Sequence, residues 1–458
     1  MIVADFRLIM QNRGIVIIGA GLTGLSTAHN LKKKGHDVVI VEKESRIGGQ
    51  IRTYQEDGFV FESGPNTGVV SFPEVVELFN DLAGDCELEI ARESSKRRLI
   101  WKGNQFHALP SGPLSAITTP LFRLSDKFRI LGEPWRKRGT DPDEPVGALA
   151  QRRLGKSFYE YAVDPFVSGV YAGDPMKLTT RYALPKLYNL EANYGSFIRG
   201  AMAKAKEPKT DRDRLATKKV FSAVGGLSQM VDAMAKGLDI ILDANNVKIR
   251  PADGGEWSVT FNGSEEIRCQ RVVTTVGSYA LPALLPFIPA ERLKPFTQLF
   301  YAPIIQVCVG IRDARGLDFP AFGGLVPSKE QKRVLGILFP SSCFEGRAPE
   351  GGALYSYFIG GARHTDYLQK SDDEIRQIVL EAFHSMLKYP SDVQPDFIRI
   401  FRHQHAIPQY WSDSGERFRL IEELQNQYKG LVLAGNMRDG IGMGNRIHQG
   451  AAIAETWK

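Results

Sequence analysis

Three stretches of this 458-residue chain predict an α/β fold whose central domain is built from both termini. Near the start, an apolar run, a glycine cluster, a helical repeat and a second apolar run succeed one another between Ile15 and Glu42. Near the end, Leu431-Val432-Leu433-Ala434-Gly435-Asn436 reads as a buried strand, Gly440-Ile441-Gly442-Met443-Gly444 as a loop and Arg446 to Trp457 as a helix. Between them, Tyr301 to Tyr357 is rich in strand-like runs broken by Gly and Pro, the pattern of a mixed sheet.

The first stretch carries the most information. Ile15-Val16-Ile17-Ile18 feeds Gly19-Ala20-Gly21-Leu22-Thr23-Gly24. Leu22, Leu25, Ala28 and Leu31 then share one helical face until Gly35 ends it. Val38 to Val41 is the next strand, and Glu42 ends it. The first glycine makes the tight turn, the second lets backbone approach a pyrophosphate, and the third permits close helix–strand packing. Leu22 and Thr23 open the helix whose N-terminus faces the anion. Glu42, about 20 residues on, is placed to accept from a ribose hydroxyl. The unit predicts a Rossmann-like dinucleotide site.

The next segment of the chain selects the dinucleotide. Lys43-Glu44-Ser45-Arg46-Ile47-Gly48-Gly49-Gln50 makes a second glycine-rich passage, and Phe61-Glu62-Ser63-Gly64-Pro65-Asn66 comes after it. An arginine before a double glycine resembles the FAD-dependent amine oxidase and protoporphyrinogen oxidase superfamily, which implies FAD in an extended pose. The resemblance places Lys43, Arg46, Gly48, Gly49, Gln50, Gly64, Pro65 and Asn66 along the cofactor, with Val247 near its adenine end. It adds Trp411, Gly435, Asn436, Ile441, Gly442 and Met443 near the flavin, where a positive helix end meets the pyrimidine edge. One residue departs from the family: amine oxidases usually carry Arg and many protoporphyrinogen oxidases a bulky residue where this chain has Gln50.

Composition fits a multi-domain enzyme. A single core is not expected at this length, and 43% hydrophobic with 24% charged residues is ordinary for a globular chain. The net charge of +6 suits an acidic substrate or an anionic membrane, but no basic stripe with interleaved aromatics marks a nucleic-acid binder. Cys86, Cys269, Cys308 and Cys343 have no metal spacing and read as buried thiols in a reducing compartment. His107, His364, His403, His405 and His448 lack the spacing of metal ligands, so no metal site is expected. The first fourteen residues read as a tail, with Met10 as an alternative start, and the expected location is the cytoplasm.

The expected FAD domain comprises residues 14–77, 218–290 and 429–458. A substrate domain takes 78–115 and 291–428, and a helical insertion takes 116–217. Glu133 to Pro145 and Lys204 to Lys219 read as exposed loops, and Met230 to Leu238 as a helix after Val220 to Leu227. Strands are expected near Val247 to Ile249, Ser258 to Phe261 and Arg271 to Val276. Leu114 to Trp135 mixes Leu121, Phe122, Leu124, Phe128, Ile130 and Leu131 with Arg123, Lys127 and Arg129. That pattern fits either a membrane-surface helix or an amphipathic helix packed on its own lobe.

Three further motifs narrow the resemblance to the oxygen-dependent protoporphyrinogen and coproporphyrinogen oxidases. These are Arg98 to Gly103 with Phe106 to Pro113, Asp164 to Pro175, and Gly323 to Pro327 with Leu335 to Ile337 and Phe358 to Gly361. The likeness runs from about Ile15 to the C-terminus. It implies three two-electron hydride transfers from a porphyrinogen to FAD, with dioxygen reoxidising the flavin to give peroxide, in heme biosynthesis. No side-chain nucleophile or base is then needed. The protein holds the reacting carbon, excludes water and pairs the propionates.

The resemblance singles out Arg98 as a propionate partner, since guanidinium matches a carboxylate bidentately. The residues alone also allow a solvated arginine within Lys96-Arg97-Arg98. Gly169 is the position for a minimal side chain beside the macrocycle, and Phe322, Leu325, Leu338 and Phe358 are the apolar wall. Protoporphyrinogen IX and coproporphyrinogen III stay open as substrates. So do an amine oxidase or isoprenoid desaturase and a tetrapyrrole carrier without turnover. Peripheral membrane contact, a homodimer and hand-off to a ferrochelatase are expected partnerships.

Overall fold

The computed structural model describes residues 9–457, and the sequence expectation for the first eight residues lies outside them. The strand Ile9–Ile18 begins five residues before the expected tail ends and pairs in parallel with Glu265–Thr274 along its length. From one edge, the nucleotide sheet runs Asp239–Ile241, Val38–Val41, Ile9–Ile18 and Glu265–Thr274, all parallel. Two antiparallel strands, Trp257–Phe261 and Lys248–Pro251, continue it, and Leu431–Leu433 pairs with the other end of Glu265–Thr274. The chain's two ends therefore share one sheet. Val38 to Val41 are all buried because helices cover one face and further apolar structure the other.

Helix Leu22–Lys33 and the terminal helix Met443–Glu455 pack side by side over this sheet. A Cβ on Gly450 would lie 2.6 Å from the Ser26 side chain, so the glycine permits the approach. The terminal helix starts at Met443, three residues before the expected Arg446, because extended Gly442 supplies its cap position. The helix expected over 230–238 is Leu227–Ala235; Gly225 and Gly226, both at positive φ, turn the chain immediately before it.

A second seven-stranded sheet is mostly antiparallel, in the order Phe397–Pro408, Tyr301–Ile311, Ala353–Gly360, Gly336–Leu338, Gly323–Leu325, Arg98–Lys102 and Gln105–Ala108. Side chains alternate across it. Trp101, Ile337, Tyr355, Tyr357 and Ile359 share a core with Ile375, Val379 and Phe383 of helix Asp372–Met386. The alternate residues face the other way, toward the first domain.

The helical region corrects two expectations. Glu133 is not in an exposed loop: it is fully buried in the turn Glu133–Trp135 and ion-paired to Arg153 at 2.8 Å. The segment 114–135 is not one amphipathic helix but two short ones, Pro113–Thr118 and Leu124–Leu131. Leu121 and Phe122 are buried in the break between them, whereas Leu114, Phe128 and Trp135 are 75%, 70% and 78% exposed. The polar stretch 204–219 is exposed over most of its length but includes one helical turn, Asp211–Arg214. Among the described residues no helix is long and apolar enough to cross a membrane, and no metal-binding cluster occurs.

Candidate active site

The glycine signature has the geometry its spacing predicts. Gly19 turns at φ +104°, and a Cβ on Gly24 would lie 1.9 Å from the Gly19 carbonyl oxygen. A Cβ on Gly21 would meet nothing within 4 Å, so open space borders the backbone where a pyrophosphate is expected. Gly21 is also the cap of helix Leu22–Lys33 and, like Gly442 at the terminal helix, offers no side-chain cap. Two helix N-termini thus keep their leading amides for an external acceptor. Both oxygens of the buried Glu42 carboxylate accept from backbone, from Ala20 N–H at 2.6 Å and Glu44 N–H at 2.9 Å. Each retains a second lone pair for a ribose hydroxyl. The Ala244 amide donates to the Glu42 carbonyl, which brings the chain leading to half-buried Val247 against this strand end. These features fit FAD.

The second glycine passage is braced from within. Arg46 donates to the carbonyls of Ile47, Gly49 and Ile51, so its guanidinium stitches its own loop. Gly48 and Gly49 take positive φ, and Gly49 lies against Gly21. Lys43 is exposed and pairs with Glu44 at 3.2 Å. Gln50 donates to the His405 carbonyl at 3.1 Å and so reaches the second sheet. Gly64 packs on the Gln50 carbonyl, and past Pro65 the Asn66 amide oxygen accepts from the Ser356 hydroxyl at 2.9 Å. With Gln306 donating to the Glu62 carbonyl at 2.7 Å, these contacts tie the second sheet to the segment that follows the glycine loops. Sequence reasoning missed Ser356 and Gln306, because only the sheet register brings them there.

On the second sheet, register gathers the apolar candidates onto one face. Arg98 pairs with Gly323 and Leu338 also pairs with Gly323; Leu325 and Phe358 both pair with Gly336. Gly323 and Gly336 therefore separate the larger side chains and leave room between them. Leu325, Leu338 and Phe358 are each the one half-buried residue in an otherwise buried strand. Phe322 lies under the Arg98 guanidinium at 4.1 Å. Gly169, in helix Asp164–Val170, faces the same place; its Cβ would come 2.4 Å from Leu325 Cδ2. Trp411 is stacked on Phe300 at 5.2 Å with Lys177 over its ring, and Phe300 packs in the same apolar cluster as Phe358.

Arg98 differs from most charged groups in the molecule. Its Nη1 is buried without a hydrogen-bond partner, and among the described residues it has no carboxylate within ion-pair distance. Burial pushes its pKa down, opposed only by the neighbouring Cys343 thiol. A half-buried guanidinium with an unpartnered nitrogen above an apolar face can receive a carboxylate attached to an apolar body.

Residues 22–453 match the family of flavin containing amine oxidoreductases. The chain is 30% identical to protoporphyrinogen oxidase 2 of Arabidopsis thaliana, over 99% of this chain and 95% of the relative. It is 25% identical to coproporphyrinogen III oxidase of Bacillus subtilis (strain 168), over 96% of each. In fold it is similar to reduced UDP-galactopyranose mutase, with a TM-score of 0.73, 15% identity, and coverage of 97% of this chain and 95% of that one. The chain belongs to the flavin containing amine oxidoreductase family, and its cofactor is FAD.

Proposed function

We propose that the protein oxidises a porphyrinogen, protoporphyrinogen IX or coproporphyrinogen III, to the aromatic porphyrin, with dioxygen as the final electron acceptor. The observation that carries this reading is Arg98: a half-buried guanidinium, free of carboxylates among the described residues, set over Phe322 at the edge of an apolar face. Bound FAD would supply the two-electron acceptor for each of three oxidation steps. The chain's own residues bind, orient and exclude water. Arg98 pairs a propionate, and Leu325, Leu338 and Phe358 receive the flat macrocycle. Gly169 and Leu325 set how closely helix Asp164–Val170 can approach it. The full-length likeness to both kinds of porphyrinogen oxidase supports the substrate class.

The domain division belongs to this reading: an FAD unit of residues 14–77, 218–290 and 429–458, a substrate unit of 78–115 and 291–428, and a helical insertion of 116–217. So does contact with an anionic membrane. Leu114, Ile117, Leu124, Phe128, Leu131 and Trp135 are exposed on consecutive turns among Arg123, Lys127 and Arg129, a surface suited to an acyl–headgroup boundary.

FAD-loaded protein in air should convert one of the two porphyrinogens to fluorescent porphyrin well above its autoxidation rate, and Arg98→Ala should slow that conversion. If neither reaction exceeds autoxidation, and anaerobic substrate leaves the flavin oxidised, the proposal fails and a carrier role takes its place.

A further inference from the structure

The loop that leads into the terminal helix is held by three buried side chains. The carbonyls of Asn436, Met437 and Arg438 accept in turn from the Tyr410 hydroxyl at 2.7 Å, Arg417 Nε at 3.4 Å and Arg446 Nη2 at 2.9 Å. Tyr410, Arg417 and Arg446 are only 1%, 0% and 7% exposed. Neutral donors could satisfy these carbonyls equally well, yet two of the three are guanidinium groups.

Their charges are poorly compensated. Arg417 faces Asp413 at 3.5 Å, and that carboxylate is partly in solvent. Arg446 has no ion pair among the described residues. Its Nη1 donates to Gln449 Oε1 at 2.8 Å, and its Nε is buried without a partner. The chain reaches a carboxylate only indirectly, as Gln449 Nε2 donates to Asp439 at 2.7 Å. Holding a guanidinium in such a place costs desolvation energy that hydrogen bonds to carbonyls only partly offset. In a low-dielectric setting its field reaches well beyond its contacts. Arg446 lies in the first turn of helix Met443–Glu455, whose uncapped N-terminus adds positive potential of the same sign. Gln449 also accepts from the Gly435 amide at 2.9 Å, so the network is continuous with the glycine turn expected beside the flavin.

We propose that Arg446, supported by Arg417, is a positioning residue that raises the reduction potential of the bound FAD. Two electrons and one proton added to FAD leave the cofactor one unit more negative, and a fixed buried cation favours that form. This effect needs only the cofactor and is independent of the substrate.

The test is an anaerobic equilibrium titration of the holoenzyme against a redox dye, with electrons from a chemical reductant. Arg446→Met should lower the equilibrium constant for two-electron reduction about tenfold, which is about 30 mV. Arg446→Lys should restore most of the shift, which a purely geometric role would not predict. Asp439→Asn removes the carboxylate that Gln449 links to Arg446 and that also pairs with Arg438 at 3.0 Å, at a partly exposed position whose φ of 63° asparagine tolerates. It should shift the constant the other way, about two- to threefold. An FAD-bound Arg446→Met protein with the wild-type potential overturns the proposal. If that variant sheds its FAD, Arg446→Gln decides: a lowered potential supports the inference and an unchanged one overturns it.

Discussion

Arg153 and Arg98 are both arginines withdrawn from solvent, and their surroundings are opposite. Arg153 is wholly buried, ion-paired to Glu133 and Glu191, and donates further to the Gly195 carbonyl. Glu133 in turn accepts from the Ser196 hydroxyl and the amides of Phe197 and Ile198, so one cluster ties three segments of the helical region together. Arg98 has no such partners among the described residues. A charge with every hydrogen bond satisfied inside the protein serves the fold. One left partly unsatisfied beside an open face is available to a ligand.

The contrast predicts how the two sites respond to substitution. Arg153→Met strands the buried Glu133 carboxylate, and breaking a buried pair in this way costs about 3–5 kcal/mol. Urea unfolding of the FAD-loaded protein should show that loss; a change under about 1 kcal/mol would mean the cluster is dispensable. Arg98→Ala should leave unfolding within about 1 kcal/mol of wild type, because no ion pair is lost and the contact with the Phe322 ring is worth about that much. Its kcat/KM for porphyrinogen should fall about 10- to 100-fold, the worth of a hydrogen bond to a charged group. A large stability loss with unchanged kcat/KM would invert the comparison.

Acid should separate the two sites as well. Burial alone would raise the pKa of Glu191, but hydrogen bonds from Arg152, the Gly139 amide and Arg153 bring it down to about 2. A carboxyl whose pKa is depressed on folding contributes stability that is fully present above its ordinary value near 4.5. That contribution is lost as pH falls from there toward 2. Glu191→Gln should flatten the fall in stability over this window, whereas Arg98→Ala should leave its slope unchanged. The smallest effect is expected at Gly169→Ala, whose new methyl meets the movable end of Leu325. A stability cost of about 1 kcal/mol and a raised KM with little change in kcat would place this contact in substrate fit.

Much of the cofactor side was legible because backbone conformation encodes it locally. Gly19, by its positive φ, and Gly24, by its approach to the Gly19 carbonyl, show their reasons within a few residues of their own positions, and Gly21 between them borders open space. The substrate side was legible only as a resemblance. Arg98 sits in a run of three basic residues, and nothing in that run tells a solvated side chain from a buried one. Trp411 joins the candidates by resemblance, and only the fold brings Phe300 against its ring. Arg446 was passed over because its neighbours, Gly444 and Asn445, read as the tail of a loop, and its burial depends on Tyr410 and Gln449 closing around it. Glu133 was misplaced for a similar reason. The prolines and charges around it imitate an exposed loop until Arg153, twenty residues on, arrives to pair with it.

By itself, then, the sequence determined the nucleotide unit, its FAD-type loops and the return of the C-terminus to the same domain. Turn geometry, helix capping and apolar periodicity are properties of short segments and survive in a linear string. Only the tertiary structure decided which charges are paired and which are left for a ligand. It also decided which alternate residues of four separate strands share one face. Those outcomes depend on register and burial, which are set by residues hundreds of positions apart.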